Sequence, residues 1–275
     1  MITHDMLESA FTVPGTIEPG TYAGSCRILH AFGEMHAQTM LDLPQQSERE
    51  VLKVQATMVS MLGEGSLLLR LDAAPELDVF GVLPETFEVT DRHVHRLCDA
   101  VDAVRAPLIR RFLSDVFSLR AVYYSFWTAP GSQNHHHAYR GGLAEHTLEV
   151  AESIVQSPGL SHTERDIGIA YALTHDLGKI WTYDQANIVA SIVGHELAGL
   201  AEMHDPLARL ERDWPQAGAA MRGLLAGRWR KGGGKPFLSV GKLVNAYDQA
   251  SAERDRLSGR EHEVQGLDTL LIRSV

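Results

Sequence analysis

The chain has 275 residues, of which 44% are hydrophobic and 22% are charged, a composition close to that of ordinary globular proteins. Its formal net charge of -10 excludes a basic protein that coats nucleic acid, so any polyanion must be held by local features. The two cysteines, Cys26 and Cys98, form no CxxC pair and therefore predict neither a thiolate zinc site nor a disulfide framework.

Residues 1–13 lack the basic start and the apolar run of a signal peptide. No segment reaches the roughly 18 continuous apolar residues that a membrane helix needs. These features predict a cytoplasmic protein that does not contact a membrane. The sequence leaves the oligomeric state open, a homo-oligomer included.

Between Thr21 and Leu83, short apolar or alternating runs are separated by turn residues, a pattern typical of strands. Strands are predicted at 22–31, 35–41, 51–62, 66–71 and 77–82. The run 51–62 is equally compatible with a helix, because periodicity does not decide short apolar runs. Five short strands suit a small barrel of the oligonucleotide-binding (OB) type or a small antiparallel sheet.

From Asp91 onward, apolar residues recur three and four positions apart, which is the period of an amphipathic helix. Helices are predicted at 94–112, 143–155, 164–177, 188–202, 217–225 and 240–257. The fold class is therefore α+β, with a small β-rich, OB-like domain at 1–90 and a helical domain at 91–275.

Local signals mark several helix ends. Thr90 or Asp91 is expected to cap the first helix. Ser161 and Glu164 have the spacing of a capping box. Gly178 follows a predicted helix, where a left-handed residue is often required.

The adjacent residues His175 and Asp176 end an otherwise apolar predicted helix. A carboxylate there opposes the helix dipole, and its burial is costly unless a cation neutralises it. His146 and Asp248 lie on two other predicted helices, each on a mostly apolar face. Together they offer nitrogen and oxygen ligands suited to a divalent ion such as Mn, Fe, Co, Ni or Zn. The alternative is that each is an ordinary hydrogen-bonded core or capping residue.

The run from His136 to Thr147, HHAYRGGLAEHT, and the later run HDLGK from His175 to Lys179 resemble the HD superfamily of metal-dependent phosphohydrolases. The Gly-Gly-Leu-x-x-His form and the preceding histidine pair are most similar to the YhaM-type 3'-5' exoribonuclease branch. Members of that branch place an OB-like domain before a helical HD domain. The resemblance implies a bound divalent ion, Mn first, with Fe, Co, Ni, Zn and Mg as alternatives. The implied metal ligands are His146, His175, Asp176 and Asp248.

The resemblance also implies catalytic roles. Asp176 is expected to hold the attacking water as well as the metal, and Lys179 to neutralise a phosphate oxygen. His195 resembles the next family histidine and is the candidate general acid or phosphate contact.

Several further residues are predicted to bind substrate. His136 and His137 are expected to flank the entrance of the active site, with His137 preferred, and Arg140 to hold a phosphate backbone. The branch carries a further histidine pair at a position where this chain has Arg228 and Arg230. One ion per site is therefore expected. The two arginines are expected to give a phosphate the positive charge that a second ion would have supplied. The alternative for residues 228–235 is a flexible solvated loop.

Three classes of function fit these observations. The first is a phosphodiesterase, in the form of a 3'-5' exonuclease, whose partner is single-stranded nucleic acid. The second is an HD nucleotidase or cyclic-nucleotide phosphodiesterase that acts on a small molecule, which the acidic charge favours. The third is a relaxase-like, conjugation-associated module that binds nucleic acid, because a plasmid-transfer relaxase group carries a similar histidine-glycine run.

Overall fold

The structure is a computed structural model that describes residues 7–61, 65–87, 92–133, 137–184, 187–228 and 239–271, with side chains described from 10 to 255 within those ranges. The chain divides into two compact units. The first comprises Met1–Val94 and Ser114–Tyr124, and the second comprises His95–Leu113 and Ser125–Val275. The sequence predicts one domain boundary, at residue 90, and does not predict that Ser114–Tyr124 belongs to the first unit.

The first unit is built on five strands: β1 Leu7–Pro19, β2 Ser25–His30, β3 Gly33–Thr39, β4 Leu52–Met61 and β5 Gly65–Ala73. They close into a barrel in the order β1-β2-β3-β5-β4, with β3 and β5 parallel and the other pairs antiparallel. Successive side chains of a strand point to opposite faces, and one face of each strand fills the barrel. Buried members of this core include Ile17, Ile28, Val54, Met58 and Leu68.

Two features of the first unit differ from the sequence prediction. Residues 77–82 do not form a strand, because Val79–Val82 is a 3₁₀ helix whose first turn is capped by Asp78, which accepts a hydrogen bond from the Phe80 amide at 3.3 Å. Strand β1 is not predicted, since Pro14 and Pro19 lie within it and prolines usually argue against a strand. The uncertain run 51–62 forms strand β4.

The described helices are α1 His93–Asp102, α2 Pro107–Phe117, α3 Arg120–Ser125, α4 Gly142–Gln156, α5 His162–Thr174, α6 Lys179–Thr182, α7 Ile188–Val193, α8 His195–Glu202, α9 His204–Asp213, α10 Pro215–Leu225 and α11 Ser239–Leu271. A strand-rich part followed by a helical part confirms the α+β class. None of the described helices combines the length and the apolar character that crossing a bilayer requires.

Several predicted helices are shorter or divided. The predicted helix 94–112 is two helices, because the residue before Pro107 is disfavoured in the helical region. The predicted helix 188–202 is broken at Gly194, whose φ is 84°. The capping box of Ser161 and Glu164 is confirmed, whereas the predicted caps Thr90 and Asp91 lie outside the described residues.

Three helices of the second unit pack closely enough to bring distant residues together. A Cβ at Gly168 of α5 would lie 2.8 Å from Val240 of α11 and 3.0 Å from Ile154 of α4. A larger side chain at Gly168 would therefore separate these helices. Because α4, α5 and α11 carry the predicted metal ligands or precede them directly, this packing positions the candidate site.

Candidate metal centre

Three helical elements bring two histidines and an aspartate to one point in the second unit. His146 lies in the second turn of α4, His175 directly follows α5, and Asp248 lies on α11. One ligand atom from each lies within 4.8 Å of the others, and His146 is 1% exposed. This cluster could hold a metal ion.

His175 presents a nitrogen suited to a cation. Its Nδ1 lies 2.8 Å from the carbonyl oxygen of Ala172, which can only accept, so Nδ1 carries the proton and Nε2 keeps its lone pair. This Nε2 is buried and has no hydrogen-bond partner among the described residues. A buried acceptor without a partner costs free energy that a cation would recover. The imidazole and carboxylate donors thus fit a divalent transition-metal ion.

Asp248 contributes the carboxylate of the cluster. Its Oδ1 lies 3.0 Å from His146 Nε2. Burial raises the pKa of Asp248, but the neighbouring imidazoles of His146 and His175 outweigh that effect and hold the pKa below its ordinary value. An ionised Asp248 is the form that ligates a cation.

Asp176 lies beside this cluster in the turn between α5 and α6. Its Oδ2 is 3.6 Å from His146 Nε2 and 3.6 Å from His175 Nε2. Burial raises the pKa of Asp176, yet the electrostatic interactions with His175, Lys179 and His146 hold it well below its ordinary value. The structure therefore brings all four predicted ligands together, with Asp176 also bound to Lys179.

Lys179 has a different environment from the one predicted. Its side chain is buried, and Nζ donates to Asp176 Oδ2 at 2.5 Å and to the carbonyl oxygen of Gly131 at 2.6 Å. The predicted contact with a phosphate oxygen needs an ammonium group that faces the substrate. The ammonium instead compensates the buried charge of Asp176, because an unpaired buried carboxylate would be costly.

His195 supplies an accessible imidazole at the first residue of α8. Its Nε2 lies 3.4 Å from Asp176 Oδ1, and its side chain is 40% exposed. Gly178 allows this position, since a Cβ there would lie 1.8 Å from the carbonyl oxygen of His195. Gly178 has φ -58°, so the prediction of a left-handed residue is wrong, and glycine is required for close approach instead.

His137 is buried rather than placed at an entrance. Its exposure is 2%, its ring centroid lies 5.3 Å from that of His146, and its Nε2 lies 3.3 Å from Ser251 Oγ. In place of the predicted position at an entrance, the ring of His137 lies against His146, a candidate metal ligand. A buried ring that already contacts protein groups is poorly placed to bind an incoming chain.

The remaining predicted substrate-binding residues are exposed or lie outside the described residues. Arg140 and Arg228 are exposed. Leu225, three residues before Arg228, lines the cavity at the metal cluster. His136 and Arg230 lie outside the described residues.

A cavity of about 60 Å³ opens on His175, Asp176 and Asp248. That volume accommodates an ion and one or two water molecules. Tyr171, Glu196 and Asn245 also line it, and the sequence prediction missed them. Helical spacing was the available signal, because Tyr171 precedes His175 by four residues and Asn245 precedes Asp248 by three.

No family model, curated protein or solved structure matches this chain. The assignment of a function therefore depends on the residues of the site, their burial and their distances. Among the described residues, those properties converge on a His146, His175 and Asp248 cluster with Asp176 beside it.

Proposed function

We propose that the chain is a metal-dependent phosphodiesterase of the HD superfamily that shortens single-stranded nucleic acid from its 3' end. The observation that carries the proposal is the buried Nε2 of His175, which has no hydrogen-bond partner among the described residues and lies 3.6 Å from Asp176. The chain order of a histidine on α4, a histidine-aspartate pair after α5 and an aspartate on α11 supports an HD-type helical domain. In the first unit, the strand order β1-β2-β3-β5-β4 and the closing pair of β1 with β4 support an OB-like barrel.

Each side chain of the site has its own role in the proposed reaction. When bound, a divalent ion supplies Lewis acidity that lowers the pKa of water and polarises a phosphoryl oxygen. Asp176 and Asp248, both with lowered pKa values, provide the negative charge that holds a cation. Asp176 also orients the attacking water by accepting its hydrogen bond. His195, exposed at the edge of the site, donates a proton to the leaving oxygen.

One ion per site is part of this proposal. The cluster within the described residues comprises one set of three ligands, His146, His175 and Asp248. The positive charge that a second ion would give to the phosphate is assigned to Arg228, which is exposed beyond α10, and to Arg230.

The test uses 5'-labelled single-stranded RNA and its DNA counterpart with added Mn²⁺, and it resolves the products by length. We expect a ladder that shortens from the 3' end, and we expect the double variant His175→Ala/Asp176→Ala to lose both the ladder and bound metal. The matched control is His204→Ala/Asp205→Ala, which removes the adjacent histidine-aspartate pair of α9 and should leave the ladder unchanged. Full metal occupancy in the His175/Asp176 variant would refute the site.

A small phosphoester is the second candidate substrate. The net charge of -10 favours it over a long polyanion. Intact oligonucleotides together with hydrolysis of nucleotides or cyclic nucleotides would select this alternative. Bound metal with turnover of neither substrate class would select a relaxase-like binding module.

A further inference from the structure

A set of hydrogen-bonding side chains lies behind His146, on the side of the ring away from the candidate metal cluster. His146 Nδ1 lies 3.0 Å from Ser251 Oγ, and Ser251 Oγ donates to Glu149 Oε2 at 2.6 Å. Ser251 is 0% exposed. Glu149 follows His146 by three residues on α4, and Ser251 follows Asp248 by three residues on α11. Both residues are thus one helical turn from a metal ligand.

The direction of these bonds fixes the proton on His146. A serine hydroxyl has one proton, and the carboxylate of Glu149 can only accept it. The oxygen of Ser251 must then accept a hydrogen bond from the ring of His146. It follows that His146 Nδ1 carries the imidazole proton and that Nε2 keeps its lone pair on the side of Asp248, where the two atoms are 3.0 Å apart.

The ring of His137 also forms a hydrogen bond with Ser251, from a different direction than the ring of His146. Its Nε2 lies 3.3 Å from Ser251 Oγ, and its Nδ1 lies 3.0 Å from the Tyr139 hydroxyl. The serine oxygen has two lone pairs, so it accepts from both imidazoles, while Tyr139 donates to His137. In this arrangement each of these protons has an acceptor.

The backbone keeps His137 in this place. Its amide donates to Asp255 at 2.8 Å, and its carbonyl oxygen accepts from the Gly131 amide at 2.8 Å. A Cβ at Gly142 would lie 2.0 Å from that carbonyl oxygen. The glycine at the start of α4 therefore allows His137 to approach the helix that carries His146.

We propose that Ser251 and Glu149 are positioning residues that hold His146 in its Nδ1-protonated tautomer and thereby set the metal affinity of the site. The inference rests on the proposed metal-dependent function. Without the acceptor at Ser251, the imidazole proton can occupy Nε2, which then donates to Asp248 Oδ1. Such a bond would occupy the metal-binding atoms of both His146 and Asp248, so that neither atom could bind the ion.

The test measures Mn²⁺ binding to the full chain by isothermal titration calorimetry. Ser251→Ala should weaken Mn²⁺ binding by about 10- to 100-fold, the range for loss of a side chain that orients a metal ligand. The matched control is Ser153→Ala, which makes the same chemical change on α4, where Oγ donates to the backbone oxygen of Glu149 at 2.8 Å. The control should bind Mn²⁺ as the wild type does.

A second readout follows the proton directly. Nitrogen-15 NMR of the metal-free protein should show His146 protonated at Nδ1 in the wild type, and protonation at Nε2 should increase in Ser251→Ala. Glu149→Gln should weaken Mn²⁺ binding less than Ser251→Ala, because the amide oxygen still accepts from the serine. This second variant keeps the side-chain size of Glu149 and tests the inference if Ser251→Ala fails to fold.

The outcomes separate the two proposals. Wild-type affinity in both Ser251→Ala and Glu149→Gln, or an Nε2-protonated His146 in the wild type, overturns the positioning role and leaves the metal site intact. A wild-type chain that binds no Mn²⁺ overturns the metal site itself.

Discussion

The ammonium group of Lys179 is buried between the carboxylate of Asp176 and the carbonyl oxygen of Gly131. A lysine is seldom buried to 9% exposure without a charged partner. The lysine and a bound cation act on Asp176 in the same way, since each neutralises its negative charge. Lys179 is therefore expected to stabilise the metal-free form of the site most strongly.

Replacing Lys179 with methionine should lower the free energy of unfolding by about 3–5 kcal/mol without metal, because Asp176 is left as an uncompensated buried charge. Added Mn²⁺ should restore part of the loss by supplying another positive charge. Urea unfolding with Mn²⁺ and with a chelator measures both effects. The control Lys242→Met removes an exposed lysine of α11 and should have little effect. Equal unfolding of Lys179→Met and wild type without metal would contradict the compensating role.

At the scale of elements, the turn after α5 and the helix α8 meet at two glycines. A Cβ at Gly199 would lie 3.2 Å from Gly178 Cα, and a Cβ at Gly178 would lie 2.8 Å from the amide nitrogen of Gly199. This approach holds His195, the first residue of α8, with its Nε2 3.4 Å from Asp176. The position of the proposed proton donor thus depends on backbone packing between two elements.

Gly178→Ala should displace α8, because the new Cβ would overlap the carbonyl oxygen of His195. We expect the free energy of unfolding to fall by about 1–3 kcal/mol. Turnover should fall further than Mn²⁺ affinity, because His195 moves while His146 and Asp248 stay in place. Kinetics combined with calorimetry separates these effects. The control is Gly81→Ala, where a Cβ meets nothing within 4 Å; equal effects at both glycines would disprove the steric argument.

Much of the element order could be predicted from hydrophobic periodicity. Strands β2 to β5 and helices α4 and α10 lie close to their predicted positions, because their apolar residues face a core at regular spacing. Periodicity cannot detect a break inside a continuous apolar run, and Gly194 divides one predicted helix for that reason. The residues of the candidate metal site could be singled out from their residue types, whereas the contact between Ser251 and His146 could not, since 105 positions separate the two residues.

At the scale of the whole molecule, the first unit joins residues that are far apart in sequence. Glu18 of β1 forms ion pairs with Arg27 of β2 and with Arg120 of α3. Thr16 and Tyr123 share a hydrogen bond of 3.1 Å between their hydroxyl groups. Ser114–Tyr124 is therefore a structural part of this unit, and a protein cut at residue 90 would lack it.

The Glu18 ion pairs predict acid sensitivity. Burial raises the pKa of Glu18, but its hydrogen bonds with Tyr124 and Arg27 and the charges of Arg120 and Arg27 outweigh that effect and lower the pKa below the ordinary value of 4.5. A carboxyl group with a lowered folded-state pKa stabilises the fold above the unfolded-state pKa, and that stabilisation is lost as the pH falls through the folded-state pKa. The stability of the wild type should thus decline as the pH falls below 4.5.

Urea unfolding followed by circular dichroism between about pH 3 and 7 measures this decline. Glu18→Gln should be less stable than the wild type at neutral pH and should lose less stability on acidification, because it has no carboxyl group to protonate. The control Glu48→Gln changes an exposed carboxylate of the same unit and should keep the wild-type pH profile. A Glu18→Gln profile parallel to that of the wild type would contradict the linkage.

The division of the chain between the two units also constrains the order of folding on the ribosome. The strands of the barrel end at Ala73, but Arg120 and Tyr123, which bind Glu18 and Thr16, are synthesised much later. Translation proceeds at about 5–20 residues per second. The barrel strands are therefore synthesised seconds before Arg120 and Tyr123. During that interval the nascent barrel lacks the partners of its buried polar groups, and it is then most exposed to chaperones and proteases.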